Sequence, residues 1–118
     1  MPRRDPRAFL ADILAAADAL TTMLPGIDFV AYAESIEKRS AVERQLLNIG
    51  EAMNHVRRLK PEWMSRFTTP DRIVAFRNIL AHGYYMVMPD VVFDIATNHV
   101  PVLRAEVAAL SEETLGGA

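Results

Sequence analysis

Between residues 36 and 59 the chain places Val42, Leu46, Ile49, Met53 and Val56 at alternating four- and three-residue steps. A helix turns about 100° per residue, so these side chains fall on one narrow seam. A seam of this kind is buried only by packing against other helices. The stretch therefore predicts a helix from Ile36 or Lys38 to Leu59, with partners of comparable length nearby in the sequence.

Those partners can be read on both sides. Asp5 before Pro6 is a helix start, because the carboxylate can accept from the first free amides and proline at the first position loses no hydrogen bond. Leu10, Ile13, Leu14, Ala17, Leu20 and Leu24 then form one stripe, ended by Pro25-Gly26. The segment from Asp28 to about Ser35, with Phe29, Val30 and Tyr32, reads as a brief extra helix or a packed loop. Pro61 closes the long helix, and residues 62–67 read as a linker whose Trp63 and Phe67 plug the core. Thr69-Pro70-Asp71 repeats the cap-and-proline signal before a helix that buries Ile73, Phe76 and Leu80 and ends near His82, ahead of Gly83. Pro89-Asp90 starts the last helix, with Val92, Ile95, Ala96, Val100, Leu103, Val107 and Leu110 as its stripe. Pro101 should kink or split that helix by removing one backbone bond, and residues 112–118 should fray. Strand-like alternation is absent. The expected fold is an all-α, up-and-down bundle of four main helices plus a short extra helix, forming a single domain over residues 1–118.

Composition narrows what such a bundle can do. A chain of 118 residues, 51% of them hydrophobic, can bury one core, which excludes a disordered chain. It has no cysteine, which removes disulfides, thiolate nucleophiles and cysteine-based zinc sites. The formal net charge of -2 gives no global basic field, so any nucleic-acid binding has to be local. The basic opening residues run into an amphipathic segment containing Asp12 and Asp18 rather than an apolar signal core, and no run reaches the roughly 18 apolar residues of a membrane span. The expectation is a cytoplasmic protein that does not enter a membrane.

Two stretches hold polar groups that packing alone does not require. On the long helix, Arg44, Asn48, Glu51 and His55 fall in one sector, which is either a solvated face or one wall of a polar cleft. Gly50 lies beside them and costs about 1 kcal/mol relative to alanine, a cost with a purpose if another backbone approaches there. The second stretch, Arg77 through Tyr85, brings together a fixed cation, a titratable base and phenols. Arg77 and His82 are five steps apart, about 140° of rotation and 7.5 Å of rise, so they meet only over the last turn. Asn78 lies four residues before His82 and shares its face.

This set suits metal-free cleavage of RNA. The reaction needs a base for the ribose 2′-hydroxyl, an acid for the leaving oxygen and positive charge on the phosphate. Histidine exchanges protons near neutral pH, and the arginine fork matches two phosphate oxygens. One histidine cannot easily perform both transfers. A two-fold dimer would supply a second Arg77 and His82 to the same cleft. The plainer alternative is a histidine stabilised by the end of a helix, a glycine cap and two core tyrosines.

The blocks Leu46-Leu47-Asn48-Ile49-Gly50-Glu51-Ala52 and Ala75-Phe76-Arg77-Asn78-Ile79-Leu80-Ala81-His82-Gly83-Tyr84 together resemble the HepT-type HEPN-domain ribonucleases. The first is similar to that family's Ile-Gly-Glu-Ala helix and the second to its Arg-Asn-x-Leu-x-His-x-Tyr core. The spacing of the two blocks and the closing helix also fit, so the likeness covers most of the chain. It implies a metal-independent endoribonuclease toxin of a type II-like toxin-antitoxin pair, acting as a homodimer without a cofactor. Arg77 and His82 would be catalytic, with Asn78, Glu51, Asn48 and Arg44 in support. Tyr84 would be the site at which a cognate MntA-type nucleotidyltransferase antitoxin transfers AMP, although Tyr85 stands beside it. tRNA and mRNA are equally allowed as targets.

Two other readings stay open on the residues. One is a catalytically silent module of the same fold that binds a nucleotidyltransferase or nucleotides. The other is a metal enzyme, for which the chain has only His55, His82 and His99 and no His-x3-His pair.

Overall fold

The fold is described from a computed structural model, which describes residues 4–82 and 88–116. Helix α1 runs Pro6–Met23, the short α2 Phe29–Glu34, α3 Ile36–Leu59, α4 Pro70–Ala81, the short α5 Pro89–Asp94 and α6 Val100–Gly116. No strand occurs among the described residues. The architecture is an all-helical bundle with four long members, as the stripes predict. The α3 helix is its centre, with α1 and α4 packed along it and α6 packed on α1.

Local chemistry fixes the helix starts. The Asp5 carboxylate accepts from the Arg7 backbone N–H at 2.9 Å, Asp28 from Ala31 at 2.9 Å and Ser35 from Lys38 at 3.0 Å. Thr69 departs from expectation. Its side chain makes no capping bond, and α4 starts on Pro70 alone. Gly26, at φ 75°, makes the left-handed turn after α1. The linker after α3 contains a 3-10 helix, Pro61–Arg66, and of its two expected core plugs Phe67 is buried while Trp63 is only partly so. The expected fraying needs correction: the C-terminus does not unwind at residue 112, because α6 continues to Gly116.

Pro101 splits the last helical stretch as predicted, through a π turn. It has no N–H to offer the carbonyl of Thr97, and its ring crowds that oxygen. The backbone widens over Ile95–His99, and the Val100 N–H reaches back to the carbonyl of Ile95. The Thr97 hydroxyl donates to the Phe93 carbonyl at 2.7 Å. Across the split, Val92, Ala96, Val100, Leu103, Val107 and Leu110 all remain buried on one side.

The seam of α3 is the core. Val42, Leu46, Ile49, Met53 and Val56 are all buried against Leu10, Ile13, Ala17 and Leu20 of α1. In α2 only Tyr32 is buried, while Phe29 and Val30 stay exposed. The ring of Tyr32 packs on Phe93 at 5.1 Å, yet its hydroxyl has no hydrogen-bond partner among the described residues. Burial, reinforced by the nearby Glu43 carboxylate and partly offset by Arg39, pushes this phenol from 10.0 up to about 12. A folded-state value above the unfolded one favours the protonated form, so its contribution is complete below pH 10 and is lost as pH rises toward about 12. Tyr32→Phe removes an unsatisfied buried group and keeps the ring. We expect the variant to melt at the wild-type temperature or above it at pH 7, with a gain of up to about 1 kcal/mol, and to lose less stability in alkaline buffer.

Candidate active site

The close approach anticipated at Gly50 is made by α4. A Cβ built on Gly50 would lie 2.2 Å from Arg77 Cβ, 2.8 Å from Arg77 Cγ and 3.3 Å from Arg77 Cα. The backbone of α4 thus rests in the gap that glycine leaves in α3. From there the Arg77 side chain runs to the next residue of α3. Its Nε–H donates to Glu51 Oε1 at 2.9 Å, and its Nη2 donates to the same oxygen. Asn78, the adjacent residue of α4, accepts from Arg77 Nη1 at 2.9 Å.

Guanidinium carries five N–H groups. Glu51 and Asn78 take three, leaving one on each terminal nitrogen without a partner among the described residues. The head is thereby fixed in orientation yet still able to donate to phosphate oxygens. The ion pair is partly exposed, with side-chain accessibilities of 27% for Arg77 and 42% for Glu51. Its stabilising effect is accordingly modest, on the order of 1 kcal/mol. Its larger consequence is geometric.

His82 is the C-cap of α4, with φ -79° and ψ -4°, and its backbone N–H reaches the carbonyl of Asn78 at 3.2 Å. Its side chain is exposed at the helix end, as the glycine stop after it suggested. Gly83, Tyr84 and Tyr85 lie outside the described residues, so the placement of the candidate modification site is not part of this geometry.

The polar sector of α3 is divided. Asn48, Glu51 and His55 line a cleft of about 550 Å³ between α1 and α3, facing Phe9 and Asp12 across it. Arg44 is exposed and not among the cleft-lining residues. The cleft reading therefore fits Asn48, Glu51 and His55, and the solvated reading fits Arg44. The contribution of α1 was missed, since Phe9 and Asp12 belong to neither motif. The only trace in the sequence is the small face of Ala15, Ala16 and Ala19, which leaves room beside α3. No group of three or more His, Asp or Glu side chains among the described residues is placed to hold a metal ion, and no helix there is long and apolar enough to cross a membrane.

Residues 13–110 match the family model described as Ribonuclease HepT-like. Two similar proteins of Methanocaldococcus jannaschii bear the names "Putative RNase MJ1380" and "Putative RNase MJ0127". The first is 31% identical over 109 residues, covering 91% of this chain and 97% of the relative; the second is 31% identical over 103 residues, covering 86% and 83%. No solved structure matches. The chain belongs to the HepT-like ribonuclease family.

Proposed function

We propose that this protein is a metal-independent endoribonuclease whose complete site is formed by two copies of the chain, each contributing Arg77 and His82, with residues 1–118 acting as one cytoplasmic domain. The observation that carries this reading is the fixed guanidinium of Arg77, held by Glu51 and Asn78 on the helix that ends at His82. In the reaction one imidazole takes the proton of the ribose 2′-hydroxyl as that oxygen attacks phosphorus. The bond from phosphorus to the 5′-oxygen breaks, and the imidazolium of the other copy protonates the leaving oxygen. Arg77 donates its uncommitted N–H groups to the phosphate oxygens as charge builds on them. The products are a 2′,3′-cyclic phosphate and a 5′-hydroxyl. Asn78 and Glu51 act by positioning Arg77, and Asn48 extends the polar wall along α3.

Uncontrolled RNA cleavage would arrest growth, which fits a toxin paired with an antitoxin. Tyr84, two residues past His82, is the candidate switch: a nucleotidyltransferase partner would transfer AMP from ATP to the phenol and release pyrophosphate. The added nucleotide brings bulk and negative charge into the Arg77–His82 region of the chain, which repels an RNA phosphate.

One observation favours a second reading, a catalytically silent module that binds the transferase or a nucleotide. The charge of Arg77 is already matched by Glu51. Incubation of purified protein with total RNA in chelator separates the two. The ribonuclease reading requires fragments ending in 2′,3′-cyclic phosphate and a sedimentation coefficient of a dimer; intact RNA supports the silent module.

A further inference from the structure

We propose that the cleft between α1 and α3 is a strand-binding subsite, taking the nucleotides that flank the one being cut. The inference rests on the ribonuclease reading of Arg77 and His82.

The cleft of about 550 Å³ adjoins a second hollow of about 370 Å³; they share Arg4, Phe9 and His55, and the second is also lined by Arg58. Together they run along α3 from Gln45, past Glu51, which grips Arg77, to Arg58. Arg58 lies seven steps beyond Glu51, about 10.5 Å of helix rise. The far end is built of flat groups beside cations. The His55 ring stacks on Phe9 at 4.5 Å with 11° between planes, and the Arg4 guanidinium carbon lies 4.5 Å from the centre of the Phe9 ring. Arg58 Nη2 contacts His55 Nδ1 at 2.7 Å. Phe9 is itself buried, so the ring offered to a strand is the half-buried His55, backed by Phe9 and flanked by Arg4 and the exposed Arg58; a flat ring beside a cation can hold a base of a single strand without reading sequence.

The charges leave one cation for the strand. Arg4 is met by Asp12 at 2.9 Å, and Glu51 is met by Arg77. Arg58 contacts a ring nitrogen and has no carboxylate partner among the described residues, so its charge is available to a phosphate. On the other side of Glu51, toward the start of α3, the amides of Gln45 and Asn48 line the cleft and make no hydrogen bond among the described residues, leaving them for base edges or 2′-hydroxyls. A trench with polar amides along it and a cation at its end suits an RNA strand better than it suits an apolar helix. It also supplies the local attraction for RNA that a net charge of -2 does not.

The test uses the full chain carrying His82→Ala, so that RNA stays intact, and a short unstructured oligoribonucleotide labelled with fluorescein. Arg58→Glu in that background should weaken binding by roughly tenfold and lower the dependence of affinity on salt by about one counterion. Arg104→Glu, on the face of α6 that pairs with Asp18, is the charge control and should match the parent. Equal affinity of the Arg58→Glu protein and its parent overturns the proposal. So does an unchanged affinity accompanied by a shift from dimer to monomer in sedimentation, which would make the cleft a contact between copies. A parent that binds no RNA also overturns it. If RNA binds and Arg58→Glu weakens it while the wild-type protein cuts nothing, the ribonuclease reading falls and the cleft is left as a strand-binding site without a cut to flank, which overturns its role as a subsite.

Discussion

Gly50→Ala should destabilise the protein by roughly 2 kcal/mol or more and take RNA cleavage down with it. Helix propensity predicts the opposite sign, because alanine inside a helix is favoured over glycine by about 1 kcal/mol. Contact decides the outcome. The new methyl carbon would sit 2.2 Å from Arg77 Cβ and 3.3 Å from Arg77 Cα, and the second of these is backbone. No rotamer change of Arg77 relieves it, so α4 has to move away from α3. That movement pulls the guanidinium off Glu51 and displaces His82 at the far end of the same helix. Urea unfolding gives the first readout and cleavage at a temperature where the variant is still folded gives the second. An alanine variant as stable as wild type would mean that α4 does not rest on Gly50.

Arg77→Lys should lose cleavage by about a hundredfold or more while keeping the charge. Glu51 engages Nε and Nη2, and Asn78 engages Nη1, so the grip depends on a planar fork. A lysine ammonium can meet one of those acceptors but cannot present two further donors in a fixed plane to a phosphate. The melting temperature should change little, since the pair is partly exposed and contributes on the order of 1 kcal/mol. Activity near the wild-type level would show that Arg77 acts through charge alone.

The sequence was most informative where one physical rule decides. The three- and four-residue steps in α1, α3 and α6 gave the bundle, and Asp5-Pro6 and Pro101 gave the start of α1 and the break near residue 100. Side chains that meet across helices were harder to foresee. Gly50 could be recognised as a gap, but only packing shows that Arg77 fills it. Arg44 and Glu51 share a helix face in the sequence, yet α4 reaches Glu51 and leaves Arg44 in solvent, because α4 crosses α3 at Gly50. Thr69 resembled a cap by residue type, and its hydroxyl makes no such bond. The wall formed by Phe9 and Asp12 could not be read from either motif, since nothing in one helix's sequence states which face of its neighbour it opposes.

Whether Arg77 and His82 cut RNA decides the proposed function. It is tested most directly by incubating purified wild type and His82→Ala with total RNA in chelator and examining fragments and their ends. The wild type should cleave, leaving 2′,3′-cyclic phosphate termini, and the variant should not, with the two proteins giving the same helical circular dichroism. Equal cleavage by both would contradict the proposed function.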